Sequence, residues 1–207
     1  MDAYSYILRD QVFANAQTGN MLLFGVYLSQ GEWAHAFRYA MPVLSFAIGI
    51  SIAEFIRSYV KKTVADEKTI LIHWRQLSLL VEIAVLFVVS FMPLSLNVLA
   101  NCITSLGCGI QVQSFRKIHG NASATTMCIG NLRSATQHLC NYITTKKKSS
   151  LRKSILFMGI IICFMIGAII GNVCIARFSE RAILFCVAFL VIAFGLMFKE
   201  EVKSQEI

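Results

Sequence analysis

The sequence predicts an all-α, polytopic transmembrane helix bundle built as an inverted repeat, and three observations lead there. The chain is 57% hydrophobic and only 14% charged, with a mean hydropathy of +0.65, whereas a soluble domain carries about 25% charge. Its charges cluster between apolar stretches of about the 17–25 residues that a helix needs to cross a hydrocarbon core. The third observation is internal similarity. Asp2–Tyr6 returns as Gln111–Phe115, Thr18-Gly19-Asn20 as Ile129-Gly130-Asn131, and Ser45, Gly49 and Ala53 as Cys163, Gly167 and Gly171. Many transporters are built from such duplicated halves, with the site where the halves meet.

The first apolar run covers 39–59, with Pro42 placed in its first turn, where a proline is tolerated. A second covers 70–92 and is ended by Pro93. The third, 94–115, is softer and richer in Asn, Ser and Gln; the fourth and fifth cover 154–175 and 181–198. Two segments are shorter and more polar, from Thr18 to Gln30 and from Thr125 to Tyr142, and read as re-entrant helices rather than spans. Each half then has the order spanning helix, short helix, two spanning helices: repeat 1 over 1–93 and repeat 2 over 94–199 of one membrane domain, 1–207. The counterpart of 94–115 in the first half ends near Tyr6. Six residues rise only about 9 Å as a helix, so the first span is expected to be truncated here or to begin upstream.

Charge sets the orientation. If the short segments do not cross, every Lys and Arg falls on one side except Arg9, Arg38, Arg177 and Arg181. The positive-inside rule makes the crowded side cytoplasmic. The C-terminus is then cytoplasmic, in a bacterial inner or plasma membrane, and the second half enters from the opposite side. The net charge of +8 is distributed to meet anionic headgroups. No basic face with interleaved aromatics suggests nucleic acid. Met1-Asp2-Ala3-Tyr4 lacks the basic region and cleavage site of a signal peptide. Seven cysteines without a Cys-x-x-Cys pair read as small packing residues.

Asp2-Ala3-Tyr4-Ser5-Tyr6, followed by Val12-Phe13-Ala14-Asn15-Ala16-Gln17-Thr18-Gly19-Asn20, resembles the YoaK family of small bacterial integral membrane proteins. Gly109–Arg116 and Thr125–Arg133 resemble that family's second-half motifs, with Ile129 where the family places Thr before Gly-Asn. The resemblance covers nearly the whole chain. It implies six membrane spans and no established activity.

Candidate chemistry is sparse. Thr18, Gly19 and Asn20, with Asn15 just before them, open the first short helix, and Gly130 and Asn131 open the second. Free backbone N–H groups at such ends can hold an anionic or carbonyl group; equally, Asn and Thr cap the helix while Gly permits the turn. Asn97, Asn101, Thr104, Cys108 and Gln111 fall on one helical face, either a cavity wall for a polar solute or glue between helices. Glu82 lies midway along 70–92, where a carboxylate costs about 2.5–3.5 kcal/mol. It is the candidate ion-coupling residue or else a neutral structural one. Ser45, Gly49 and Ala53, with Gly159, Cys163, Gly167 and Gly171, form small-residue ridges for close helix packing. Glu54 and Arg57 read as an interfacial pair. His35 is assigned to a loop, with no ligand spacing shared with the other histidines.

No nucleophile elbow, phosphate loop, metal-binding helix or dinucleotide fingerprint occurs, so enzyme activity, a metal and a cofactor are not expected. The expected partners are the lipid bilayer and a small polar solute, and an oligomer is compatible. The function these features suggest is transport or permeation of that solute, or else a non-transporting scaffold or accessory subunit.

Overall fold

A computed structural model describes residues 1–66, 74–115, 117–118, 121–122 and 128–205. Apart from a two-residue-per-strand hairpin (Lys117–Ile118 with Asn121–Ala122), the described residues that are regular are helical. The chain divides into two compact units, Met1–Ser114 with Gly171–Ile207, and Phe115–Ile170.

The first unit contains α1 (Asp2–Leu8), α2 (Gln17–Ser29), α3 (Trp33–Asp66), α4 (Trp74–Val89) and α5 (Asn97–Ser114). It also holds the end of α7 (Lys148–Phe178), a 3₁₀ segment at Ser179–Ile183, and α8 (Leu184–Gln205). The short helix α2 ends in a Schellman turn: Gly31 takes φ +77°, its N–H donates to Leu28 O at 3.2 Å, and Glu32 N–H donates to Tyr27 O at 3.0 Å. Only a residue free of a Cβ adopts this conformation without cost, which is why the chain breaks at Gly31.

The next helix starts at once. Pro42 therefore lies inside α3 rather than in its first turn, and His35 lies in the opening turn of α3 rather than in a loop. The apolar run continues on both sides of Pro42, and a membrane helix accommodates the missing N–H. Pro93 stops the next pair in the expected way: α4 ends at Val89, a 3₁₀ turn follows at Leu94–Leu96, and α5 begins at Asn97. On α4 the buried residues Gln76, Leu79, Glu82, Leu86 and Val89 form one stripe, at the three- and four-residue spacing of a helix face.

The most extensive packing is α3 against α5, with α2 on α3 and α4 on both α5 and α8. Its centre is a reciprocal pair of glycines. A methyl group on Gly49 would overlap the carbonyl oxygen of Leu106, and one on Gly109 would overlap the carbonyl oxygen of Phe46. The backbones of α3 and α5 thus touch directly, which small residues permit where lipid supplies no hydrophobic drive. Ala53, fully buried one turn on, and half-buried Ser45 continue this face of α3.

In the second unit, α6 (Cys128–Thr145) and the start of α7 form a helical hairpin. Lys146 turns the chain with φ +57°. Ser154 Oγ donates to Ala135 O at 2.8 Å, and the His138 and Phe157 rings stack at 6.0 Å.

Among the described residues three stretches are long and apolar enough to cross a membrane: Trp33–Val60, Leu94–Ser114 and Lys148–Met197, the last holding α7 and most of α8. The chain is a helical membrane protein.

Gly49→Ala and Gly109→Ala should each separate α3 from α5 and cost about 1–3 kcal/mol. Gly25→Ala, with nothing within 4 Å of the added carbon, should leave stability unchanged or slightly raised. Thermal unfolding in detergent distinguishes the two classes.

Candidate functional site

The polar centre of the first unit is assembled by the segment that joins α1 to α2. Asp10 and Gln11 both take left-handed backbone, at φ 61° and 58°, and reverse the chain after α1. Arg9, just before the reversal, is sent inward and is fully buried. A guanidinium carries five N–H donors, and each finds an acceptor. Nε and Nη2 donate to Tyr4 Oη at 3.2 and 2.8 Å, Nη2 also to Met92 O at 2.6 Å, and Nη1 to Pro93 O and Asn97 Oδ1 at 3.0 and 3.1 Å.

No carboxylate pairs with Arg9 among the described residues. Met92 and Pro93 lie just past the C-terminal end of α4, and a cation is favoured where carbonyls point off a helix end. Tyr4 Oη passes the connection on by donating to Glu180 O at 3.1 Å. The charge pattern of the sequence sets Arg9 on the side with few cations and gives no sign of its burial. Met92, Pro93 and Asn97 lie 83–88 residues away along the chain, so no local pattern reveals them.

The polar face of α5 meets this segment residue by residue. Asn97 accepts from Arg9, and Asn101 Nδ2 donates to Arg9 O at 2.7 Å. Ser105 Oγ accepts from Gln17 Nε2 at 3.4 Å, and the Cys108 sulfur lies 3.6 Å from that of Met1. Thr104 turns back onto its own helix, donating to Ala100 O at 2.7 Å. The stripe is therefore engaged by the chain itself over most of its length.

The start of α2 is equally occupied. Asn20 is fully buried; its Oδ1 accepts from Phe13 N–H at 3.0 Å, and its Nδ2 donates to Phe13 O at 2.7 Å and Gln17 Oε1 at 2.8 Å. Asn15 N–H donates to Asp2 Oδ1 at 2.7 Å. Asp2, Asn15, Gln17 and Asn20, widely spaced in the first motif, thus hold one loop. Thr18 is exposed. A methyl group on Gly19 would lie 2.8 Å from the Phe13 ring, so a larger residue would displace that ring.

Some buried polar atoms of this unit keep no partner: Asn15 Oδ1, Asn101 Oδ1, Gln111 Oε1 and both carboxylate oxygens of Glu82. All are oxygens. Glu82 is fully buried on α4, and its side chain lies beside Gly107 of α5. In the second half of α3, Glu54 pairs with Arg57 at 2.9 Å and accepts from Gln113 Nε2 at 2.6 Å.

The other candidates lie on α6 and α7. Asn131 is buried in the first turn of α6, and Gly130 beside it is exposed with open space around it. Gly159 and Gly167 on α7 have nothing within 4 Å of an added carbon, while Gly171 faces Ala3 Cβ at 3.4 Å. Among the described residues no group of three or more His, Cys, Asp or Glu is arranged to hold a metal ion.

Comparison with known proteins matches residues 1–196 to a family described as a protein of unknown function, DUF1275. The chain is also similar to UPF0700 transmembrane protein YoaK of Bacillus subtilis (strain 168). The two are 25% identical over 214 residues, covering 98% of this chain and 89% of that protein. No solved structure matches.

Asn20→Ala removes three hydrogen bonds and strands the Phe13 peptide group. It should cost about 1–3 kcal/mol, while exposed Thr18→Ala should stay within about 0.5 kcal/mol. Thermal unfolding of the two variants side by side checks this.

Proposed function

The chain belongs to the DUF1275 family of proteins of unknown function, and we propose that it transports or conducts a small polar solute across the membrane, with Glu82 as the coupling residue. The observation that carries this reading is the state of Glu82: a carboxyl group midway along α4 of a helical membrane protein, fully buried, with neither oxygen partnered. An ionisable residue of that kind is costly to keep, and in membranes it is typical of ion and proton pathways. The unpartnered amide oxygens of Asn15 and Asn101 add acceptors, which suit a solute or ion that donates hydrogen bonds or carries positive charge.

The helix order supports an internal repeat. A 13-residue helix, a 34-residue helix and a 16-residue helix in the first half are matched by helices of 18, 31 and 22 residues in the second. In our reading the halves are inverted, the basic loops and the C-terminus are cytoplasmic, and Gly130 and Asn131 are the second half's counterpart of the Gly19-Asn20 turn. The alternative is a non-transporting scaffold, favoured by one observation: Asn20 and Asn97 are already engaged by internal hydrogen bonds.

Proteoliposomes under an imposed cation or proton gradient decide between these readings. Wild-type protein should accumulate at least one solute from a panel of labelled amino acids, sugars and small ions. Glu82→Gln should abolish accumulation while melting no lower than wild type, because no bond to the carboxylate is lost. No accumulation of any solute by wild type would favour the scaffold.

A further inference from the structure

The first unit also carries an open polar depression, separate from Glu82, with walls drawn from distant parts of the chain. It has a volume of about 420 Å³ and lies where the α1–α2 turn meets the α2–α3 hairpin. Asp10 and Gln11 form one wall, and Tyr27, His35, Arg38 and Tyr39 the other. Volumes of this order suit a small organic ligand.

Three features of the lining select the ligand. Asp10 and Arg38, opposite in charge, share the cavity yet do not pair with each other or with any other side chain among the described residues. Each is therefore free to meet a charge brought from outside. His35, Tyr27 and Tyr39 form a ladder of stacked rings, with centroids 5.2 and 5.6 Å apart and interplanar angles of 25° and 5°. Glu32 holds the outer ring of this ladder, its carboxylate 2.9 Å from His35 Nδ1. The consecutive left-handed residues Asp10 and Gln11 place the carboxylate at the rim. Backbone of that kind persists where the surrounding structure imposes it, often beside ligand sites.

We propose that this cavity is a binding site for a zwitterionic amino acid. Asp10 receives the ammonium group, Arg38 the carboxylate, and the Tyr27–Tyr39 ladder the side chain. A single-charged solute leaves one of the two charges without a partner and binds more weakly for that reason. This names the solute class of the transport reading, and binding itself does not depend on that reading; only the later passage across the membrane does.

The test is equilibrium binding to the purified full chain in detergent, with L-phenylalanine and L-leucine as probes. Phenylalanine methyl ester, which lacks the negative charge, and N-acetylphenylalanine, which lacks the positive one, serve as comparisons. We expect saturable binding of at least one amino acid and at least tenfold weaker binding of both derivatives. Asp10→Asn and Arg38→Gln should each weaken amino acid binding at least tenfold at unchanged melting temperature. Asparagine tolerates left-handed backbone, so the first variant keeps the turn. Absence of saturable binding by both amino acids overturns the proposal, as does equal binding of either derivative or indifference to both substitutions. Binding without accumulation in proteoliposomes would keep this site and remove transport; accumulation of other solutes without amino acid binding would do the reverse.

Discussion

One buried cation organises the first unit. Arg9 is enclosed with no carboxylate to balance it, a state that costs several kcal/mol unless every donor is met and the local field is favourable. Both conditions hold: five N–H groups make five hydrogen bonds to four acceptor atoms, and the carbonyls just past α4 supply negative potential. The same side chain ties α1 through Tyr4, the α4–α5 connection through Met92 and Pro93, and α5 through Asn97. Its own backbone carbonyl is gripped by Asn101. The segment between α1 and α2 buries Val12 and Ala14 as well, and these bonds fix its polar groups against α5.

That clamp acts on a second constraint, the direct contact of α3 and α5 at Gly49 and Gly109. Close backbones put the polar face of α5 within reach of the α1–α2 segment and leave little room for a wide polar channel beside it. Polar residues consequently divide into two sets. Arg9, Gln17, Asn20 and Asn97 are bound by the fold. Glu82 is enclosed by it without a partner, while Asp10 and Arg38 line a cavity unpaired. Where most buried polar groups of a unit are matched, the groups left open are where function is sought.

Much of the fold could be read from composition and periodicity. The Leu94–Ser114 helix lies within a residue of its expected range, and the short helix opening at Gln17 begins one residue before its expected start, because apolar length and local turn chemistry decide both. Pro42 shows the limit: a proline suggests a helix start, but the apolar pattern continues through it and the break is set by Gly31 instead. The stripe on α5 was legible as one face, since spacing alone places Asn97, Asn101 and Cys108 together. Its partners were not, because three helices separate Arg9 from α5 in the sequence and Arg9 shows no local signature of burial. The cavity around Asp10 and Arg38 was hidden for the same reason, its walls coming from separate elements.

The most direct test of the clamp is the thermal stability of Arg9→Lys in detergent. Lysine keeps the positive charge but offers three donors on a compact ammonium in place of five on a planar fork. Losing two or more charge-assisted hydrogen bonds at a buried site should cost about 3 kcal/mol or more, seen as a clear fall in melting temperature. An Arg9→Lys protein that melts with wild type would contradict the clamp, since charge alone would then suffice and the five-bond geometry would not be what holds the segment in place.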